Sequence, residues 1–157
     1  MRTVITSLGV AVAFALTFTL IPDQAQACGG ANTASLTGSP QQQVNKVSAS
    51  TVAAMLKDAE SYGTAIFIYD VNSEKTRQKM GVVPGARLLA SSVRYEVSEL
   101  PEDKSAGLVF YCANTMCGAS KEAAKRAIQA GYSNVAVMPE GIKGWRDAGL
   151  KTDQANI

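Results

Sequence analysis

The sequence predicts an α/β domain with a mostly parallel central sheet and helices on both faces, and three observations carry that expectation. Short apolar, β-branched runs alternate with helical patterns between residues 44 and 152. The two clearest runs, TAIFIYD (64–70) and LVFY (108–111), are continuous rather than alternating, as strands covered on both sides require. The chain of 157 residues is long enough for one modest core but short for two.

The elements follow in order. Ser50 precedes TVAAMLKDAES, in which Val52, Leu56 and Ala59 recur at helical spacing, and Gly63 stands behind it as a stop. After the strand TAIFIYD, SEKTRQKM reads as a short polar helix, GVVPGA as a turn and Arg87 to Ala90 as a further short strand. A second capped stretch, SSVRYEVSELPED, leads to LVFY, which ends on Cys112. From Ala119, SKEAAKRAIQAG has the best helical composition in the chain, with Gly131 at its end. NVAVM is a strand, and EGIKGWRDAGL closes with a short helix flanked by glycines.

The N-terminal residues point to export. Met1 and Arg2 make a positive start, Val4 to Leu20 is almost wholly apolar, Pro22 breaks the run, and Ala25-Gln26-Ala27 places small residues where a signal peptidase needs them. The expectation is a signal peptide over 1–27, cut after Ala27, and a periplasmic or secreted product. A retained anchor is the competing reading, but the apolar run sits at the lower limit for crossing a bilayer. Lipidation of Cys28 would be the one route to membrane association, and Ala25, Gln26 and Ala27 do not resemble a lipid-attachment signal. Residues 28–43 lack apolar periodicity and read as a flexible linker. The folded domain is expected over 44–152, with a tail at 153–157.

Charge excludes more than it assigns. The net charge of +2 is unchanged by removing residues 1–27, which carry one Arg and one Asp, and no basic run tracks phosphates. Nucleic acid is not an expected partner. The chain has no histidine, so Ser-His-Asp triads, Cys-His dyads and His-containing zinc sites are excluded together. No metal or organic cofactor is expected. Any nucleophile must be activated by backbone and surroundings.

That directs attention to LVFYCANTMCGASKEAAKRA (108–127), where a strand ends on Cys112, a short loop follows, and a helix opens. The first turn of such a helix has unpaired N–H groups and partial positive charge, and the preceding loop can aim further N–H groups inward. A thiolate, a persulfide or an oxyanion would be stabilised there. The same field is expected to lower the thiol pKa of Cys112. The blander reading is a small buried residue at a strand end. The combination of strand, cysteine, loop and helix favours chemistry.

Several stretches together resemble the rhodanese family of sulfurtransferase domains: VSASTVAAML, FIYDVN, GVVPGA, YC followed by S-x-x-A-A, and MPEGIKGWRDAGL, in that order. The resemblance implies a single rhodanese-like domain in which Cys112 is the nucleophile and takes a sulfane sulfur as a persulfide. It further implies that Ala113, Asn114, Thr115, Met116, Gly118, Ala119 and Ser120 form the substrate-binding loop and helix start. Departures include Asn72 for the usual Arg, Val82 for a turn His and Glu140 for the first closing Gly. The loop ANTMCGA is two residues longer than usual and carries no positive side chain, which counts against gripping an oxyanion and so against phosphatase chemistry.

Cys117, five residues after Cys112, resembles the second cysteine of a secreted subset of the family. It is a resolving thiol, a disulfide partner, a sharer of the transferred sulfur, or merely a small loop filler. Ser120 is expected to cap the helix and also to line the cradle. Lys121 and Lys125 read as a solvated face, Trp145 as core, and Asp70 as a structural residue at a strand end. The leading functional expectation is sulfur transfer from thiosulfate, a persulfide or a persulfide-carrying protein to a nucleophilic acceptor. The competing readings are a thiol–disulfide or redox-sensing role for the cysteine pair, and a non-catalytic soft-metal or protein-binding module. Serine at position 117 is expected to spare simple sulfur transfer while removing the disulfide and any two-thiolate metal site.

Overall fold

The structure, a computed structural model, describes residues 44–63 and 65–155; the expected signal peptide, Cys28 and the linker to residue 43 lie outside the described residues. The elements run β1 (Asn45–Lys46), α1 (Ala49–Tyr62), β2 (Ile66–Asp70), α2 (Glu74–Met80), β3 (Arg87–Leu88), a 3-10 turn (Val97–Glu99), β4 (Gly107–Tyr111), α3 (Ala119–Gln129), β5 (Val135–Met138) and α4 (Gly141–Asp147). The five strands form one parallel sheet in the order β1-β5-β4-β2-β3. This is the α/β architecture the sequence predicts.

The continuous apolar runs became the middle of the sheet for the reason given by their composition. Tyr69, Leu108, Phe110, Val135 and Val137 pack on one face with Ala123, Ala124 and Ala127 of α3. Ile68, Val109, Tyr111 and Met138 pack on the other with Ala49 and Val52 of α1 and Ile142 and Trp145 of α4. The alanines of α3 let that helix lie close to the sheet. Trp145 is core, and its Nε1 donates to the Lys151 carbonyl at 2.8 Å. Among the described residues, no helix is long and apolar enough to cross a membrane.

Local signals fixed the helix ends with two shifts. Helix α1 begins two residues earlier than Ser50 suggests: Ser48 is the N-cap, its hydroxyl accepting the Thr51 N–H at 3.1 Å. Gly63 ends it in the left-handed conformation, φ 67°, as expected of a stop glycine. The capped stretch 91–103 folds as turns and the 3-10 turn. β1 escaped notice because its two residues are polar and exposed.

Asp70, at the carboxyl end of β2, is fully buried and paired with Arg77 of α2, whose Nε lies 3.1 Å from Oδ1. The same guanidinium donates to the carbonyls of Asp70 at 2.9 Å and Leu89 at 2.8 Å, tying α2 to β2 and to the end of β3. The departure at Asn72 therefore leaves Asp70 with a cation. Val82 spends its backbone on an antiparallel bridge to Asp153, both N–H groups donating across it at 2.9 Å.

Tyr111, the last residue of β4, reaches across to accept the Val83 N–H at 3.0 Å, which fixes the GVVPGA turn. Burial, reinforced by the Asp70 charge, holds its phenol far above the ordinary range, so it stays neutral. Replacing Tyr111 by Phe leaves that buried N–H without a partner, and the expected loss is about 1–3 kcal/mol of unfolding free energy. Equilibrium urea denaturation checks this; an unchanged midpoint would mean the turn does not rely on the phenol.

Candidate active site: the cysteine loop

Strand β4 lies at the centre of the sheet, flanked by β5 and β2, and its carboxyl end is where ligands bind in folds of this kind. Cys112 follows directly and is 1% exposed. Residues 113–118 then turn back into α3. Two backbone bonds anchor the start of the loop to α4: Ile142 N–H donates to the Cys112 carbonyl at 2.9 Å and Lys143 N–H to the Ala113 carbonyl at 3.0 Å. These contacts need Gly141. Its φ is +62°, and a Cβ there would lie 2.3 Å from the Cys112 carbonyl oxygen. Neighbouring Glu140, with φ −64°, sits where any residue fits, so the departure from glycine there is tolerated.

Within the loop, Asn114 makes the turn: its side-chain oxygen accepts from Met116 N–H at 3.0 Å and its carbonyl from Cys117 N–H at 3.1 Å. The Cys112 sulfur lies 3.2 Å from the Cys117 carbonyl oxygen and 3.5 Å from the Ser120 hydroxyl, and the Ser120 N–H also points to it. The backbone N–H groups of Ala119 and Ala113 and the neighbouring Cys112 thiol favour the anionic form of the Cys117 sulfur. Both cysteines are free thiols.

These surroundings separate the two thiols. Burial pushes Cys112 up, and its hydrogen bond to Cys117 pushes the same way, outweighing the help from Ser120. Burial also pushes Cys117 up, but the bond from Cys112 and the two backbone N–H groups win, and its pKa is lowered. The field of the helix start thus acts, but on the second cysteine. The expected lowering at Cys112 is not found, because burial disfavours its thiolate and the neighbouring Cys117 side chain adds to that.

The fold gathers Cys112, Cys117, Ser120 and the backbone of Ala113 and Ala119 around one pair of sulfurs. Thr115 and Met116 are exposed at the loop tip, Met116 at 94%. Gly118 is the N-cap of α3, so Ser120 does not cap the helix; it is buried in the first turn, facing Cys112. Lys121 and Lys125 are exposed, and Lys125 pairs with Glu122 at 2.9 Å. The cavity of about 450 Å³ between α2 and the C-terminal residues includes no loop residue. Among the described residues, no group of three or more His, Cys, Asp or Glu is placed to hold a metal ion. Gly141, Tyr111 and Arg77 were not singled out from sequence; only the glycine spacing of the closing segment hinted at the first.

A parallel α/β domain with a cysteine at the carboxyl end of its central strand and a tight loop into the next helix defines a class, and comparison with known proteins places the chain in it. Residues 48–148 match the family model for the rhodanese-like domain, and the chain belongs to that family. Among solved structures, it is similar to a protein of Bacillus halodurans, at 19% identity and a TM-score of 0.57, covering 68% of this chain and 74% of the other. It is also similar to a protein of unknown function, described as a possible tyrosine phosphatase, from Rhodopseudomonas palustris, at 23% identity and 0.56, covering 70% and 85%. A thiosulfate sulfurtransferase from Pseudomonas aeruginosa shares 22% identity with a TM-score of 0.58, covering 71% of this chain but 21% of that one. At such identities the likeness is one of fold. Comparison with curated proteins by sequence finds no match.

Proposed function

We propose that this domain is an exported sulfurtransferase that carries a sulfane sulfur as a persulfide on Cys112. The observation that carries the reading is the pair of reduced sulfurs at the carboxyl end of β4, surrounded by the N–H groups of Ala113, Ala119 and Ser120. A loop thiolate attacks the outer sulfur of the donor, whose remaining part leaves with the bonding electron pair. The sulfur is held on Cys112 until a nucleophilic acceptor attacks it and returns the thiolate. All the required stabilisation comes from backbone dipoles and Ser120, without a metal or organic cofactor.

The loop residues 113–119 include no cation, and Lys143, at the anchoring helix, is engaged by Asp147 at 2.5 Å. A dianionic donor such as thiosulfate therefore gains little there, and a small persulfide or a persulfide-carrying protein fits better. The same absence argues against phosphate-ester hydrolysis. Cys112→Ser is expected to reduce turnover with a persulfide donor and a thiol acceptor by at least about a thousandfold. Retained turnover in that variant would exclude Cys112 as the carrier. A thiol–disulfide role is the second reading, favoured by two free cysteines on one loop, with the Cys112 sulfur 3.2 Å from the Cys117 carbonyl oxygen.

A further inference from the structure

We infer that the incoming sulfur is received by Cys117 and only then passed to Cys112, so that the loop works as a two-thiol relay; the inference rests on the sulfurtransferase reading. Access gives the first argument. The Cys112 sulfur is buried behind the loop, at 1% exposure, whereas Cys117 is partly exposed on the loop itself. Backbone geometry gives the second. Cys117 stands directly before the N-cap of α3, where the N–H groups of Ala113 and Ala119 favour its anion, while Cys112 faces the carbonyl of Cys117 at 3.2 Å. The first environment suits an anionic sulfur, and the second a thiol with its proton on. Since the thiolate is the nucleophile, the accessible, N–H-bound sulfur attacks the donor.

The second step follows from the contact between the thiols. The Cys117 sulfur, on accepting sulfane sulfur, becomes a persulfide anion beside the Cys112 thiol. Cys112 attacks the outer sulfur, forming a new S–S bond as the bond between that sulfur and Cys117 breaks. The proton of Cys112, which faces the Cys117 carbonyl oxygen 3.2 Å away, moves to the departing Cys117 sulfur. The products are a Cys112 persulfide anion and a Cys117 thiol, with no net oxidation or reduction. This order reverses the expectation that Cys117 is dispensable for simple transfer.

The test is a rapid-quench experiment on the reduced protein with glutathione persulfide, stopped by alkylation, with fragment masses locating the added sulfur. Wild type should carry sulfur first on Cys117 and later on Cys112. Cys112→Ser should load Cys117 at the wild-type rate and keep the sulfur there. Cys117→Ser should load Cys112 about tenfold more slowly or worse, because the buried thiol must then ionise unaided. Loading of Cys112 at the wild-type rate in Cys117→Ser, or first appearance of sulfur on Cys112 in wild type, overturns the relay while leaving sulfur transfer intact. Absence of added sulfur in wild type and both variants defeats the sulfurtransferase reading and the relay with it. Iodoacetamide labelling of wild type at neutral pH gives a check free of variants: Cys117 is expected to react about tenfold faster than Cys112, and the reverse order overturns the relay.

Discussion

Gly141→Ala is expected to dislodge the cysteine loop, with loss of sulfur transfer larger than its loss of stability. The new methyl would lie 2.3 Å from the Cys112 carbonyl oxygen, 2.7 Å from the Ala113 carbonyl carbon and 2.8 Å from its oxygen. None of these atoms can swing aside, since all belong to backbone. The φ of +62° adds about 1–2 kcal/mol of strain for a residue with a side chain. Relief requires α4 to part from the loop, which breaks the bonds from Ile142 and Lys143 that fix where Cys112 stands. With those bonds at about 0.5–1.5 kcal/mol each, the expected destabilisation is about 2–5 kcal/mol. Urea denaturation and a turnover assay on the same preparation check both parts. A variant with normal stability and turnover would mean that α4 does not hold the loop.

Arg77→Ala is expected to cost about 3–5 kcal/mol, as removing one partner leaves the Asp70 carboxylate buried without compensation. The loss includes the donors to the Asp70 and Leu89 carbonyls, so the ends of β2 and β3 lose their common tie. Lysine should rescue little, because one ammonium cannot reproduce three directed bonds from a planar fork. Breaking the exposed Lys125–Glu122 pair serves as the contrast, with an expected effect under about 1 kcal/mol. Thermal or denaturant unfolding of the two variants side by side measures the difference. Equal, small effects would show that Asp70 does not depend on Arg77.

Much of the fold was legible because it is written locally. The runs IFIYD and LVFY are apolar enough to need cover on both faces, and Gly63 by its left-handed backbone and Ser73 by its hydroxyl, which accepts the Thr76 N–H, mark helix ends. β1 was not legible, since Asn45 and Lys46 join the sheet only through backbone pairing with Ala136 and Val137. The polar appearance of EKTRQKM concealed Arg77, whose burial depends on Asp70 standing opposite.

The candidate site divides in the same way. The position of Cys112 at a strand end and the return into a helix could be read from LVFYCANTMCGAS, and so could the convergence of N–H groups at the helix start. Which sulfur those groups serve could not, because it depends on the turn at Asn114, which brings the Cys117 side chain to them and its carbonyl to Cys112. Ser120 was expected at the cap; a loop that ends two residues earlier, at Gly118, buries it against Cys112 instead.

The central claim is that the cysteine loop carries sulfur, and the most direct measurement is the intact mass of the reduced domain before and after a persulfide donor, with fragment mapping of residues 105–121. The account predicts a gain of one sulfur atom that settles on Cys112 and is removed by a thiol acceptor. A mass unchanged by the donor, together with the loss of two hydrogens through a Cys112–Cys117 bridge on mild oxidation, would contradict it and leave the thiol–disulfide role in its place.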